Sequence, residues 1–539
     1  MELEYNIIDI YKREIYPAKL IIEGGKIKDI IRLNKVIRNY VMPGLIDSHV
    51  HIESSLCTPG SFAMAAVSRG TTGVVSDPHE IANVMGMEGI EFMLKDAAKV
   101  PLKVWFGAPS CVPATAFESA GAVIDHSDLD KLLKRKEIKY LSEMMNFPGV
   151  ISEDKEVIKK IMVAKKYRKP IDGHAPGLSG NDLKKYVNAG ISTDHECSSL
   201  EEALEKISLG MKIHIREGSA ARNLNALKSL LTSHPEKVML CSDDIHPEML
   251  AKRHINKLVS QLLNEGFDKF DVLRSCTINP VKHYDLDAGL LQKEQAADFI
   301  VVEDYMSMDV IETWINGEKV YDRGQTLFKY ENDECINKFN ASEISEDEIR
   351  IKRNGSKMRV INAFDGELMT KEILYTTKNS EIIKADIQND ILKIVVKDRY
   401  KDMPPSTAMI RGFGLKKGAF AGSIAHDSHN IICIGTNDKD IVTAINLIIK
   451  IKGGLAVATG NELDYMPLPV AGIMSEKPVN IVASDYEKLT KLVKSMGCTM
   501  SAPFMTLSFM ALLVIPELKL SDKGLFNGKI FNYVPLFED

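Results

Sequence analysis

Between residues 44 and 285, short apolar runs recur, each followed by a stretch whose apolar positions fall at helical spacing. Eight runs predict strands: GLIDSHVHI (44–52), TTGVVSDPH (71–79), LKVWFGAPS (102–110), IKYLSEMMN (138–146), PIDGHAPG (170–177), ISTDHE (191–196), MKIHIREGS (211–219) and VMLCSDD (238–244). The intervals predict helices. In DKEVIKKIMVAKKY (154–167), Val157, Ile158, Ile161 and Met162 are expected on one face, and EMLAKRHINKLVSQLL (248–263) reads as another helix. Eight strand-then-helix units in about 240 residues suit an α/β fold of the (β/α)8 barrel type. A doubly wound sheet is the rival, and the placement of the chemistry decides between them.

The flanks read differently. Residues 1–43 form short strands with a tight turn at Gly24–Gly25, and residues 286–340 hold ADFIVVE (297–303) and VIETWINGEKVYDRG (310–324), a meander turning at Asn316–Gly317. The two flanks are expected to pair as one small β domain interrupted by the barrel at 44–285. ASEISEDE (341–348) reads as a linker or helix start, and residues 341–539 as a C-terminal α/β domain, with a strand at 391–397 and a helix at 440–450. FMTLSFMALLVIP (504–516) is too short to cross a bilayer and reads as buried core. GFGLKKGAFAGS (412–423) is Gly-rich but lacks the ending of a P-loop, and reads as turns.

At 539 residues the chain has room for two or three domains, and 45% hydrophobic with 26% charged residues allows a sizeable core. A net charge of -6, from 68 basic and 74 acidic residues, argues against nucleic acid or anionic membrane as a partner. The eight cysteines form no C-x-x-C pair, which disfavours a zinc ribbon, a redox motif or a disulfide framework. With no basic segment and apolar run at its start, a cytoplasmic protein is expected. A homodimer is expected from the large C-terminal domain.

The chemistry gathers at strand ends. His49 and His51, at i and i+2 on the first strand, point to one face and can share a metal ion. A lone H-x-H is weak, but this one ends a barrel strand, where barrel enzymes place catalytic groups. Glu143 falls late in the fourth strand, His174 in the fifth, His195 in the sixth and Asp243 at the end of the eighth. Each imidazole alone could be a hydrogen-bonded core or surface histidine. Six ligand-type residues at the ends of five strands are hard to obtain by chance. Nitrogen and oxygen donors without thiolates suit Zn, Mn or Fe(II), and two ions need a bridging anion. Asp77 and Glu80, in DPHE after the second strand, could each give a proton to a heterocycle; alternatively Asp77 caps the next helix. Glu53, Ser54 and Ser55 follow the first strand and are expected to line a substrate pocket. Arg216 and Glu217 are weaker candidates, His214 is expected to be structural, and His79 either supports a ligand or faces solvent. His426, Asp427 and His429 offer either a third metal site or closure of the barrel mouth, the latter being the expected role.

VMPGLIDSHVHI, followed in order by His174, His195 and Asp243, resembles the amidohydrolase superfamily. Many of its members bridge two metals with a carboxylated lysine on the fourth strand. Here that strand offers Lys139 and Glu143, about 13 Å apart, and only Glu143 reaches the metal end. SHVHIESSLCTPGSF, VVSDPHEIANVMG, SEMMNFPGV, DGHAPGLSG, TDHECSS and CSDDIHP are similar to the bacterial and archaeal adenine deaminases of that superfamily, as are GSIAHDSHNIICIGTND and GNELDYMPLPVAGIMS. The resemblance implies a barrel with an appended β-sandwich and a further C-terminal domain. It implies hydrolysis of adenine to hypoxanthine and ammonia with two divalent ions, Mn or Fe expected and Zn as the alternative.

On that reading His49, His51, His174, His195, Glu143 and Asp243 surround the ions. A water bridging them supplies hydroxide, and Asp243 carries its proton to the departing nitrogen. Another cyclic amidohydrolase (dihydroorotase, hydantoinase or sugar-amide deacetylase) is the alternative. The glutamate on the fourth strand counts against the first two, and the motifs and long C-terminal domain count against all three. A scaffold that has lost catalysis is a further alternative, opposed by the filled ligand positions.

Overall fold

The computed structural model describes residues 1–219, 221–332, 334–377 and 380–538. Each of the eight central runs contains a strand: Leu45–Val50, Thr71–Ser76, Lys103–Ala108, Ile138–Met144, Ile171–Gly173, Thr193–Asp194, Lys212–Arg216 and Val238–Cys241. The first five lie side by side in parallel, as do the last three. The ring closes at two seams. Ser192 N donates to Ile171 O at 2.9 Å between the fifth and sixth strands. Beyond the eighth strand, Asp243 N donates to His49 O at 2.9 Å and His51 N to Asp243 O at 3.2 Å. That second seam sets three candidate site residues in register by backbone alone. A parallel barrel covered by helices buries its strands on both faces, and the first two strands are buried throughout.

The covering helices follow ordinary rules, with two departures from expectation. Lys155–Lys166 starts at Asp154, whose side chain accepts from Glu156 N and Val157 N. Its buried stripe is Val157, Lys160, Ile161 and Ala164, the i, i+3, i+4, i+7 set. Met162, expected on that face, is 58% exposed, because one further helical step carries it past the stripe. Lys160 takes part by burying its stem and donating Nζ to Ser110 O at 2.8 Å. The expected helix over 248–263 is two helices, Pro247–Leu250 and Ile255–Asn264, broken at His254. There the backbone turns extended so that the imidazole reaches Asp47 Oδ2 at 2.9 Å and Thr71 Oγ1 at 2.6 Å.

Strands from both flanks share one eight-stranded sheet, in which Tyr40–Pro43 lies between Glu2–Asp9 and Phe299–Val302. The sheet curls on itself. Gly25, at φ 76° in its hairpin turn, meets the Asn316–Gly317 turn so closely that a Cβ would lie 2.6 Å from Asn316 O. Ile7, Leu20, Val41, Phe299 and Trp314 fill the enclosed face, while Ile8, Met42, Ile300 and Val302 pack on the barrel.

The remaining chain builds a nine-stranded mixed sheet, including Leu392–Lys397, covered by Asp438–Ile451. The acidic linker opens a short turn, Glu346–Ile349, through a Ser345–Glu348 capping box. The Gly-rich stretch 412–423 is turn only at its start; Ala419–Gly422 is a strand, paired on both sides along the sheet. Residues 504–516 are largely buried, in the helix Pro503–Ser508 and the turn Phe509–Ala511. This region sits over the barrel mouth. Ser61 Oγ donates to Lys477 O at 2.5 Å, His246 Nδ1 lies 3.0 Å from Tyr486 Oη, and Pro247–Leu250 packs on Val479–Ser495.

Candidate active site

Glu143 stands at the centre. It is the penultimate residue of the fourth strand, buried, with its two oxygens facing opposite ways. Oε2 lies 2.7 Å from His174 Nδ1 and 3.2 Å from His195 Nε2, and those two nitrogens are 3.2 Å apart. Oε1 lies 3.2 Å from His51 Nε2, which is 3.3 Å from Asp243 Oδ1; His49 Nε2 is 3.4 Å from the same oxygen. Donor atoms bound to one ion at about 2.1 Å stand roughly 3.0–3.4 Å apart, the spacing found here. Neither ring nitrogen of the fully buried His49 makes a hydrogen bond among the described residues, which is costly unless something else satisfies it. These residues fit a pair of divalent ions with Glu143 between them. Burial alone would raise the Glu143 carboxyl, but His195 and His174 hold it well below the usual carboxylate range. Lys139, the other bridging position considered on that strand, lies at the opposite end, near Asp287 at 3.8 Å.

Arg216, from the seventh strand, donates to Asp243 Oδ2 at 2.7 Å and grips Glu196 with both terminal nitrogens. Burial would raise the Asp243 carboxyl, but Arg216 holds it well below its ordinary range. Glu196 also faces His195 Nε2 at 3.4 Å. His214 is structural as expected from its early place on the strand: it lies beneath His49, bonded to Tyr284 at 3.2 Å.

A small cavity opens above these groups. Its barrel wall is polar, with His51, Glu143, His174, His195 and Asp243. Its facing wall is apolar and belongs to the C-terminal domain: Leu368, Phe509, Leu512, Val514 and Ile515. The stretch 504–516, read as core, thus lines the site. Its composition is mostly apolar, broken only by Thr506 and Ser508, and nothing in it marks one edge as facing a ligand.

Several expected residues stand elsewhere. Asp77 is buried outside the cavity wall; Oδ1 accepts from His79 N at 3.1 Å in the manner of a helix start, and Oδ2 lies 3.2 Å from His79 Nδ1. Glu80 does line the cavity, but its oxygens sit on His426 Nδ1 at 2.7 Å and on His429 Nε2. Against its burial, His426, His429 and His79 hold it well below the carboxylate range. Glu53 and Ser54 line a smaller neighbouring cavity, and Ser55 turns inward to Ile52 O at 2.6 Å. Burial pushes Glu53 up to about 7, and Ile81 N donates to its Oε1 at 3.2 Å. Glu217 faces Arg222 at 3.7 Å, away from the cavity. Glu196 and Asp244 line it without having been singled out as ligands, and Asp427, offered with His426 and His429 as a metal group, lines it as well. Strand alternation hides Glu196 and Asp244: each follows a ligand-type residue directly, but both strands have already ended, and Asp243 has φ 55°, so neighbours need not face apart.

An eight-stranded parallel barrel with imidazoles and carboxylates gathered at its strand ends defines a metal-dependent hydrolase of the amidohydrolase class, and residues 40–320 match the amidohydrolase family. Residues 367–532 match the adenine deaminase C-terminal domain. A protein named adenine deaminase from Methanosarcina barkeri is 52% identical over 98% of this chain and 98% of its own. One of the same name from Salinibacter ruber is 47% identical over 99% of this chain and 98% of its own. The chain belongs to the adenine deaminase family. A solved structure of a beta-aspartyl dipeptidase from Fervidobacterium islandicum AW-1 covers 61% of this chain and 98% of its own at TM-score 0.47 and 16% identity. No helix among the described residues is long and apolar enough to cross a membrane.

Proposed function

We propose that this protein hydrolyses adenine to hypoxanthine and ammonia. The observation that carries the reading is the convergence of His51, His174 and His195 on the two oxygens of Glu143, with His49 and His51 meeting Asp243 Oδ1 beside them. These six residues would hold two divalent ions, Mn or Fe(II) in preference to Zn. When bound, such ions lower the pKa of a held water toward neutrality.

The chain's own groups do the rest. Asp243, kept ionised by Arg216, takes a proton from the water that adds at C6 and passes it to the amino group, and the C6–N bond breaks to release ammonia. Arg216 also neutralises Glu196, so the polar wall is not left with a second uncompensated charge. The apolar wall of Phe509, Leu512 and Ile515 receives the flat faces of the base and excludes bulk water. On this reading residues 44–285 carry the chemistry, 1–43 with 286–340 form the flanking β domain, 341–539 supply the closing wall, and the protein is a cytoplasmic homodimer.

The test is ammonia release from adenine by the Mn- and Fe(II)-loaded protein, with adenosine, guanine and cytosine in parallel. Turnover of adenine is expected. Hydrolysis of a cyclic amide with no turnover of adenine would reject the assignment.

A further inference from the structure

A second knot of ligand-type side chains lies on the far side of the cavity, built from segments nearly 350 positions apart. His79 and Glu80 begin the helix His79–Met85, and His426 and Asp427 occupy the loop after Ala419–Gly422. Four atoms face one another in a ring. His426 Nδ1 is 2.7 Å from Glu80 Oε1 and 3.7 Å from Asp427 Oδ1, and His79 Nε2 is 3.6 Å from each of the same two oxygens. Nitrogens and carboxylate oxygens alternate around a common centre, at spacings close to those around Glu143. Asp244 brings a further carboxylate within reach of Glu80 and His426.

Two features favour a cation at that centre over a purely hydrogen-bonded clamp. His79 Nε2 stands too far from either oxygen for a hydrogen bond, yet is aimed between them, while its Nδ1 faces the Asp77 carboxylate at 3.2 Å. A nitrogen so placed suits a metal-binding histidine, with a carboxylate beside its other nitrogen. Charge points the same way. Glu80 and Asp427 are buried, and no Lys or Arg pairs with either of them or with Asp244 among the described residues; Arg216 is engaged by Glu196 and Asp243. Asp427 Oδ2 has no hydrogen-bond partner.

We infer that His79, Glu80, His426 and Asp427 hold a third divalent cation of the class that binds nitrogen and oxygen donors, such as Mn, Fe(II) or Zn. It ties the C-terminal domain to the barrel mouth. Where the inference rests on the deaminase reading, it also puts positive charge beside the purine ring as the ring gains electrons.

The full-length protein, stripped with a chelator, reloaded with Mn and freed of excess metal, is expected to retain three ions per chain by elemental analysis. Asp427→Asn and His426→Gln are each expected to retain two. Glu143→Gln is expected to lose the first pair and keep this one, so failure of the two-ion reading and failure of this one are distinguishable. Anomalous diffraction at the Mn edge is expected to show a peak between the four named side chains. Saturation of the unaltered protein at two ions, three ions retained by both variants, or no peak at that position would overturn the inference; the unaltered protein decides it even where a variant does not fold.

Discussion

Arg216 Nη1 lies 2.7 Å from Asp243 Oδ2, and both side chains are buried. The guanidinium reaches from the seventh strand to the tip of the eighth and joins Asp243 to Glu196, just past the sixth. Removing it leaves two buried carboxylates without their cation. Breaking a buried pair from one side costs about 3–5 kcal/mol. Arg216→Met is therefore expected to lower the denaturation midpoint and kcat together. Arg216→Lys keeps the charge but loses the forked contact and should fall between. Unchanged stability in the Met variant, measured by chemical denaturation, would show that the pair carries no such burden.

Asp243 and His51 should separate by what is lost. A positioned acid–base group contributes roughly 10²–10⁴-fold to rate, so Asp243→Asn is expected to reduce kcat by that order and retain much of its metal. His51→Ala removes a nitrogen from the Glu143 cluster and is expected to lower metal content first, with activity following. Elemental analysis beside steady-state kinetics distinguishes them; full metal loading in the His51 variant is the contrary outcome.

Phe509 lines the apolar wall and stacks on His426, ring centres 4.8 Å apart. Base–aromatic contact is worth about 1–3 kcal/mol by alanine substitution. Phe509→Ala is expected to raise KM for adenine roughly 10–100-fold, with a smaller change in kcat and no change in the ions held at Glu143. A KM that does not move would place the base elsewhere.

Lys519 links the same wall to pH. Its fully buried ammonium donates to Phe509 O at 2.9 Å and Leu368 O at 2.6 Å, and burial lowers its pKa from 10.5 to about 7. The unfolded chain therefore binds more protons than the folded one between about pH 7 and 10.5. Stability from this group rises with pH across that window and is lost as pH falls toward 7, by on the order of 1 kcal/mol per pH unit. Denaturation of the parent and of Lys519→Met from pH 7 to 9.5 should show that rise in the parent and a flatter profile in the variant. Parallel profiles would contradict it.

The sequence by itself determined the eight strand positions, because alternating apolar runs and helical stripes are local signals. It also marked His49, His51, Glu143, His174, His195 and Asp243, since each falls at a strand end and the barrel brings such ends together. Helix breaks driven by distant partners were not legible: the pattern over 248–263 is helical, and only Asp47 and Thr71 draw His254 out of it. Tertiary structure alone decided that Arg216 bonds Asp243 and that both Glu80 oxygens are held by imidazoles from the C-terminal domain. It also decided that residues near 509–515 form a cavity wall rather than plain core. The physical reason is range. Periodicity records which face of an element is buried, but not which remote side chain meets a charge there, and that pairing sets protonation, metal spacing and the shape left for a ligand.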